Sequence, residues 1–466
     1  MYSISGAASL PVLKKMLRQL LKKYPLLFIL SLAFLLRLIY FIVVILRNPE
    51  GIYVYDSYGY WQIAFNLREY GIFSQSYHFP IEPDYYRTPI YPLFIILSEA
   101  IGPEGFSIIA LQVILAVATC YFTYRVAMEI TGSAFISNIA ALIITLDVPS
   151  IVMNTLVMTE TLFTFLLLVC IFFFIRYLKV KNYKLLIISA LFCGGTILCR
   201  PIGFFLPFFL SFFLFFSLKK EFKKVLFHVF TFCVIVFISV SPWLVRNKVV
   251  FGHYFLSVIR EHNMQNYEAA AIYSELHGRS LAESQSILRW KTFREFKGDA
   301  NAQPYEYAKY IESQAIDYTL ENPAIYLKHH VKQFILFFLK PCRAYVDIQL
   351  GNWGSGYNTI PKDYPVFDYL FKHNSKFTIV LVLFQMFILL LMYPFILISF
   401  FYFRNTQKVF YFLFLVSIVC SMAILTLPAV AESRFRVPVM PLVAVLSASG
   451  IFMLKERFRN RQSMKK

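Results

Sequence analysis

Long apolar runs recur from one end of this chain to the other, and they constrain its fold more than any other feature. The first, residues 26–46, has about the 20 residues that a helix needs to cross a bilayer core. Comparable runs cover 105–127, 134–147 and 156–177, two more meet at Arg200-Pro201, and others cover 225–245, 377–403, 409–427 and 437–454. Hydrophobic residues make up 58% of the 466 residues, charged residues 15%, and there are 51 phenylalanines. A water-soluble core does not need so apolar a composition. The sequence therefore predicts an all-α polytopic membrane protein with about ten transmembrane helices.

The formal charge of +19 would suggest a nucleic-acid partner in a soluble protein. Here it has another source. Segments 1–24, 176–184, 218–224, 404–408 and 455–466 hold 21 basic and 2 acidic residues, the bias of cytoplasmic loops. Both termini are thus expected in the cytoplasm of a cell-membrane protein, and no nucleic-acid motif is present. The basic N-terminus and first run look like a signal but lack a small-x-small cleavage site, so they read as an uncleaved span. Seven scattered cysteines without a CxxC pair read as packing residues. Arg37, inside the first span, should turn into the bundle rather than toward lipid.

Three parts follow from this pattern. Residues 1–245 form an N-terminal bundle with a polar first outer loop, 47–104. Residues 246–376 form an extracytoplasmic part with amphipathic helices near 280–297 and 304–321, an interfacial helix over 331–339, and a Gly/Asn/Tyr loop at 351–364. Residues 377–466 form the last helices and a basic tail.

Candidate chemistry gathers at the outer ends of the spans. Asp56 is an isolated acid among Tyr53, Tyr55, Tyr58, Tyr60 and Trp61, surroundings that would raise its pKa toward that of a general base. It also stands where an N-cap would precede the helical pattern ended by Gly71. Arg87, in YYRTPIYP, suits a lipid phosphate or a headgroup. Glu160 and Arg200 could form a structural pair or touch substrate. Glu432, Arg434 and Arg436 put two arginines on an outer loop, where the charge bias disfavours them, so an anion is expected there.

Taken in order, a lone outer Asp, R-x-P-x-Y-P, T-E-T-L-F, R-P, P-W-x-x-R-N-x-x-x-F-G and R-F-R-x-P-x-x-P resemble the GT-C membrane glycosyltransferases. The group resembled is that of the protein O-mannosyltransferases and aminoarabinose transferases. The resemblance implies a GT-C-like bundle with juxtamembrane helices in the first outer loop, and transfer of a sugar from a polyprenyl-phosphate donor to a glycan, lipid or protein acceptor. It implies that Asp56 is the catalytic carboxylate and that Arg87 with one or both of Arg434 and Arg436 holds the donor phosphate. Tyr86, Glu160, Arg200 and Glu432 would line or brace the cavity. Some relatives place a metal-site acid where this chain has Tyr86. A divalent metal would then need other ligands, and the spacing of His78, Glu82, Asp84 and His262 does not define a site. A flippase of lipid-linked sugars and a non-catalytic subunit of an envelope assembly are the competing readings. The absence of an evident internal repeat weighs against a transporter.

Overall fold

A computed structural model describes residues 23–103, 105–217, 222–351, 376–404, 408–426 and 431–463. The basic N-terminus, Lys219, Lys220 and most of the 351–364 loop lie outside them. Each apolar run is helical. Among the described residues seven helices are long and apolar enough to cross a membrane: Pro25–Arg47, Phe106–Thr131, Glu160–Val180, Phe222–Phe251, Lys376–Phe403, Val409–Thr426 and Ser433–Ser463. Ala134–Leu146 and Val148–Asn154 make an eighth if the pair, bent by 56°, is one span. The fifth and sixth expected spans are shorter, Tyr183–Cys199 and Pro201–Ser217. At about 1.5 Å per residue, either alone falls short of a hydrocarbon core roughly 30 Å thick.

The bend has a local cause. Asp147 stands between the two helices, and its carboxylate accepts the Ser150 N–H at 3.0 Å and the Ser150 hydroxyl at 2.5 Å. It thereby caps the second helix, which carries Pro149 in its first turn. Arg37 serves the end of the first helix. Only 1% exposed, it donates to the Ile144 carbonyl at 3.4 Å and to the Ala33 carbonyl at 3.1 Å. The charge inside the membrane is turned inward, as expected, and adds a donor to a carbonyl in the last turn of Ala134–Leu146.

Two helices form the middle of the bundle. Met440–Ser463 is buried without interruption from Met440 to Gly450, and most of Glu160–Val180 is buried as well. Small residues let neighbours approach closely. A Cβ on Gly450 would lie 1.9 Å from the Phe395 carbonyl oxygen, so only glycine fits at this crossing with Lys376–Phe403. Ser447 Oγ donates to the Met392 carbonyl at 3.1 Å across the same contact. These central helices carry Glu160 and the 432–436 segment to one end of the bundle.

The loop after the first span covers that end. Its helix Tyr55–Tyr70 is started by Ser57, whose Oγ accepts the Val54 N–H at 3.0 Å, and ended by Gly71 in the left-handed region at φ 68°. Asp56 therefore is not the N-cap. It lies one residue inside the helix, and its carboxylate is left for other partners. A further helix, Ile90–Glu99, leads back to the bundle.

After the helix Phe222–Phe251, Leu281–Glu295 and Pro304–Glu321 match the expected amphipathic helices. The first begins with a capping box between Ser280 and Glu283. The apolar 331–339 stretch is the second half of a longer helix, Pro323–Leu339.

Candidate active site

Asp56 is the centre of the site. One carboxylate oxygen accepts from Arg87 Nη2 at 2.8 Å and the other from Arg434 Nη1 at 2.8 Å. The loop supplies the acid and the first arginine, and the far C-terminal segment supplies the second. Arg87 also donates to the Tyr60 hydroxyl at 3.1 Å and lies over the Tyr60 ring, 4.6 Å from its centroid. This is a fixed guanidinium, and not one snorkelling to water. Arg434 Nε is 3.1 Å from a Glu432 oxygen, and the Tyr345 hydroxyl donates to the same carboxylate.

A second acid-arginine pair adjoins the first. Glu160 is fully buried and 2.5 Å from Arg200, which also donates to Thr159 Oγ1 at 3.1 Å. Phe435 joins the two pairs, since its ring centroid is 5.0 Å from the Arg434 guanidinium and 6.0 Å from that of Arg200. The cluster thus holds Arg87, Arg200 and Arg434 against Asp56, Glu160 and Glu432. Their formal charges cancel.

The electrostatics reverse one expectation. Burial does push the Asp56 carboxyl up, as its aromatic surroundings suggested. The guanidiniums of Arg434 and Arg87 outweigh burial and hold the carboxyl well below its usual value of 3.8. In this arrangement Asp56 is a firmly ionised, weakly basic group. The side chain stays 34% exposed, so it is open to a ligand from the outside.

Arg436 does not join the site. It is fully buried, and it donates to the carbonyls of Phe337 at 2.9 Å, Phe338 at 2.8 Å and Lys340 at 3.3 Å. These are the last carbonyls of the helix Pro323–Leu339, where a cation meets the negative end of the helix dipole. The expected phosphate ligand is a helix cap. Tyr86 likewise faces away from Asp56. Its hydroxyl is hydrogen-bonded to His262 Nε2 at 3.0 Å, and burial lowers the His262 pKa to about 4, so the imidazole is neutral at pH 7.

The residues do not fit a divalent metal. Among the described residues no three His, Cys, Asp or Glu side chains gather into a ligand set. Both Asp56 oxygens are taken by arginines. One Asp84 oxygen accepts the backbone N–H groups of Tyr86 at 3.1 Å and Arg87 at 2.7 Å, and the other accepts from Gln75 at 2.5 Å. Guanidinium, amide and backbone N–H donors take up the oxygens that a divalent ion would need.

Sequence reasoning named Tyr60 only as a neighbour of Asp56 and missed Tyr345. Nothing in the local pattern marks Tyr345, whose position follows from the return of a distant helix. Asp84 did leave a signal, because an Asp three residues before an arginine can accept N–H groups two and three positions on.

Residues 86–245 match the family model described as dolichyl-phosphate-mannose-protein mannosyltransferase. No curated protein sequence matches the chain. Among solved structures, the oligosaccharyltransferase AglB from Archaeoglobus fulgidus, in complex with an inhibitory peptide and a dolichol-phosphate, aligns with a TM-score of 0.51 at 16% identity. The alignment covers 96% of this chain and 52% of that one. An Archaeoglobus fulgidus oligosaccharyltransferase tethered with an acceptor peptide containing the NVT sequon gives 0.51 at 17% identity over 96% and 51%. ArnT from Cupriavidus metallidurans bound to undecaprenyl phosphate gives 0.44 at 11% identity over 91% and 77%. The chain spans about half the length of the archaeal oligosaccharyltransferase. At such identities the likeness is one of fold, and this chain is a polytopic membrane protein with the GT-C fold, about a third of which, residues 86–245, is similar to the mannosyltransferase family model.

Proposed function

We propose that this chain is an integral-membrane glycosyltransferase that moves a sugar from a polyprenyl-phosphate donor to an acceptor on the extracytoplasmic face. One observation carries the reading: two arginines from opposite ends of the sequence close on one partly exposed carboxylate at 2.8 Å each. A helix brace would bury such a group, as it buries Arg436. Cations poised beside a base are what a reaction with an anionic leaving group requires. The AglB relative holds a dolichol-phosphate and an inhibitory peptide, and such a carrier and acceptor are what this reaction would bring together.

In the mechanism, the donor phosphate competes with Asp56 for Arg87 and Arg434. As the guanidiniums turn toward the phosphate oxygens, Asp56 loses the charges that suppress its basicity, and its pKa rises. The acceptor hydroxyl then gives its proton to Asp56 while its oxygen bonds to the anomeric carbon. The bond from that carbon to the phosphate oxygen breaks on the opposite side, so the centre inverts in a single displacement. The electron pair leaves with the polyprenyl phosphate, where the two arginines stabilise the growing charge. The Glu160–Arg200 pair stays fixed below, and Glu432 with Tyr345 holds Arg434 in reach. In this reading both termini are cytoplasmic and the site faces outward.

Purified protein incubated with radiolabelled polyprenyl-phosphate sugar and an envelope-glycan acceptor tests this. Transfer without another protein is the expected result. Movement of the labelled lipid across a vesicle bilayer with no transfer would replace the enzyme with a flippase.

A further inference from the structure

The segment that carries Arg87 is held from several sides. Asp84 accepts the N–H groups of Tyr86 and Arg87 and the side-chain amide of Gln75. Its own N–H donates to the Phe73 carbonyl at 2.8 Å. Its carbonyl accepts from Arg246 Nη1 at 2.8 Å, and Arg246 reaches the Phe73 carbonyl at 3.3 Å with its other nitrogen. Arg246 lies among the rings of Trp243, Phe73 and Phe251, at 4.9, 5.4 and 5.2 Å. From the extracytoplasmic part, Ser257 Oγ donates to the Tyr86 carbonyl at 2.5 Å and the Val258 N–H to the Tyr85 carbonyl at 3.2 Å. Thr88 donates to the Cys199 carbonyl at 3.1 Å, one residue from Arg200.

Within this frame Asp84 is 5% exposed and has no path to substrate of its own. Its neighbour Gln75 is wedged against the catalytic helix. A Cβ on Gly59 would come within 2.5 Å of Gln75 Oε1, so that helix leaves room for the amide only because residue 59 is glycine. The backbone of Arg87 is thus fixed by a carboxylate whose orientation is set in turn by Gln75.

We propose that Asp84 is a positioning residue for the donor phosphate: it fixes the Arg87 backbone so that the guanidinium reaches the phosphate beside Asp56. This rests on the reading of Arg87 as a phosphate ligand. An arginine whose backbone is free samples many side-chain positions, and the lost pre-organisation is paid on binding. An Asn at position 84 keeps the accepting oxygen for the two N–H groups, and the Gln75 amide can rotate to accept from it. An Ala keeps neither.

Undecaprenyl phosphate in detergent micelles is titrated into the full chain, with the thermal midpoint recorded for each variant. Asp84→Ala is expected to weaken binding about tenfold or more and to lower the midpoint, since three donors lose their acceptor, whereas Asp84→Asn binds as the parent does and keeps its midpoint. Gly59→Ala displaces Gln75 on a helix that alanine otherwise favours, so it should also weaken binding while the helix is kept. It carries the test if Asp84→Ala does not accumulate. Parental affinity in Asp84→Ala, or in Gly59→Ala if only that variant folds, overturns the proposal. A loss in Asp84→Asn as large as that in Asp84→Ala overturns it too. Arg87→Ala separates the levels. If it binds like the parent, the phosphate reading of Arg87 fails and the positioning role falls with it. If it loses binding while Asp84→Ala does not, only the positioning role fails.

Discussion

Arg434 and Arg436 are two residues apart, yet they do opposite work. Arg434 is 20% exposed and shares its charge between Asp56 and Glu432, groups from which it can turn away. Arg436 is sealed in, and its nitrogens bind carbonyls at the end of another helix. Helix geometry forces the difference. Both lie on Ser433–Arg436, and a step of two residues turns the side chain by about 200°. One position facing the site sends the other into the bundle. A cation with a mobile counter-ion at a surface can exchange partners, whereas one spent on buried carbonyls can only hold the fold.

That contrast is open to direct attack. The largest expected effect is at the acid that Arg434 serves: Asp56→Asn should lower turnover by about a thousandfold with expression and fold preserved. Turnover at the parental rate would remove Asp56 from the chemistry. Next, Arg436→Ala leaves its carbonyls without donors and should cost about 3 kcal/mol, read as a lower thermal midpoint. The protein that still folds should keep its donor affinity. Arg434→Ala should show the reverse weighting, a smaller drop in midpoint than Arg436→Ala with polyprenyl-phosphate binding weakened by tenfold or more, about 1.4 kcal/mol at the least. If the two variants fail in the same way, the distinction drawn between the arginines is wrong.

A smaller effect concerns pH. In the free protein the Asp56 pKa is held below 3.8. Its ion pairs therefore contribute stability above the unfolded pKa and lose it only as pH falls through the lower folded value. If the donor phosphate draws the arginines away, Asp56 titrates higher in the complex. The acid limb of kcat should then lie about one pH unit or more above that of kcat/KM, since the first reports the complex and the second the free enzyme. Coincident limbs would show that the arginines do not change partners.

The membrane class and the positions of the apolar helices were legible because hydropathy is additive along the chain. So were the Gly71 stop and the amphipathic helices Leu281–Glu295 and Pro304–Glu321, which depend on local pattern. Asp56 stood out as an isolated acid, Arg87 as a guanidinium suited to a lipid phosphate and Arg434 as a basic residue where the charge bias disfavours one, and the fold brings them together. What was not legible depended on direction. The spacing R-x-R reads as a pair until a helix separates its faces. The Asp56 pKa could not be judged from its aromatic neighbours, since the deciding charge lies 378 residues away. Tyr345 and Gln75 are ordinary residues made relevant only by what they touch.

The balance of three guanidiniums and three carboxylates has a consequence for how a carrier arrives. With no surplus of either sign among the six, the cluster itself projects little field beyond the Debye length, roughly 8 Å in physiological salt. An anionic lipid would reach it by lateral diffusion within its leaflet and be sensed only on touching. Association should accordingly be nearly indifferent to ionic strength, unlike steered encounters, and it should slow when the bilayer is made more viscous.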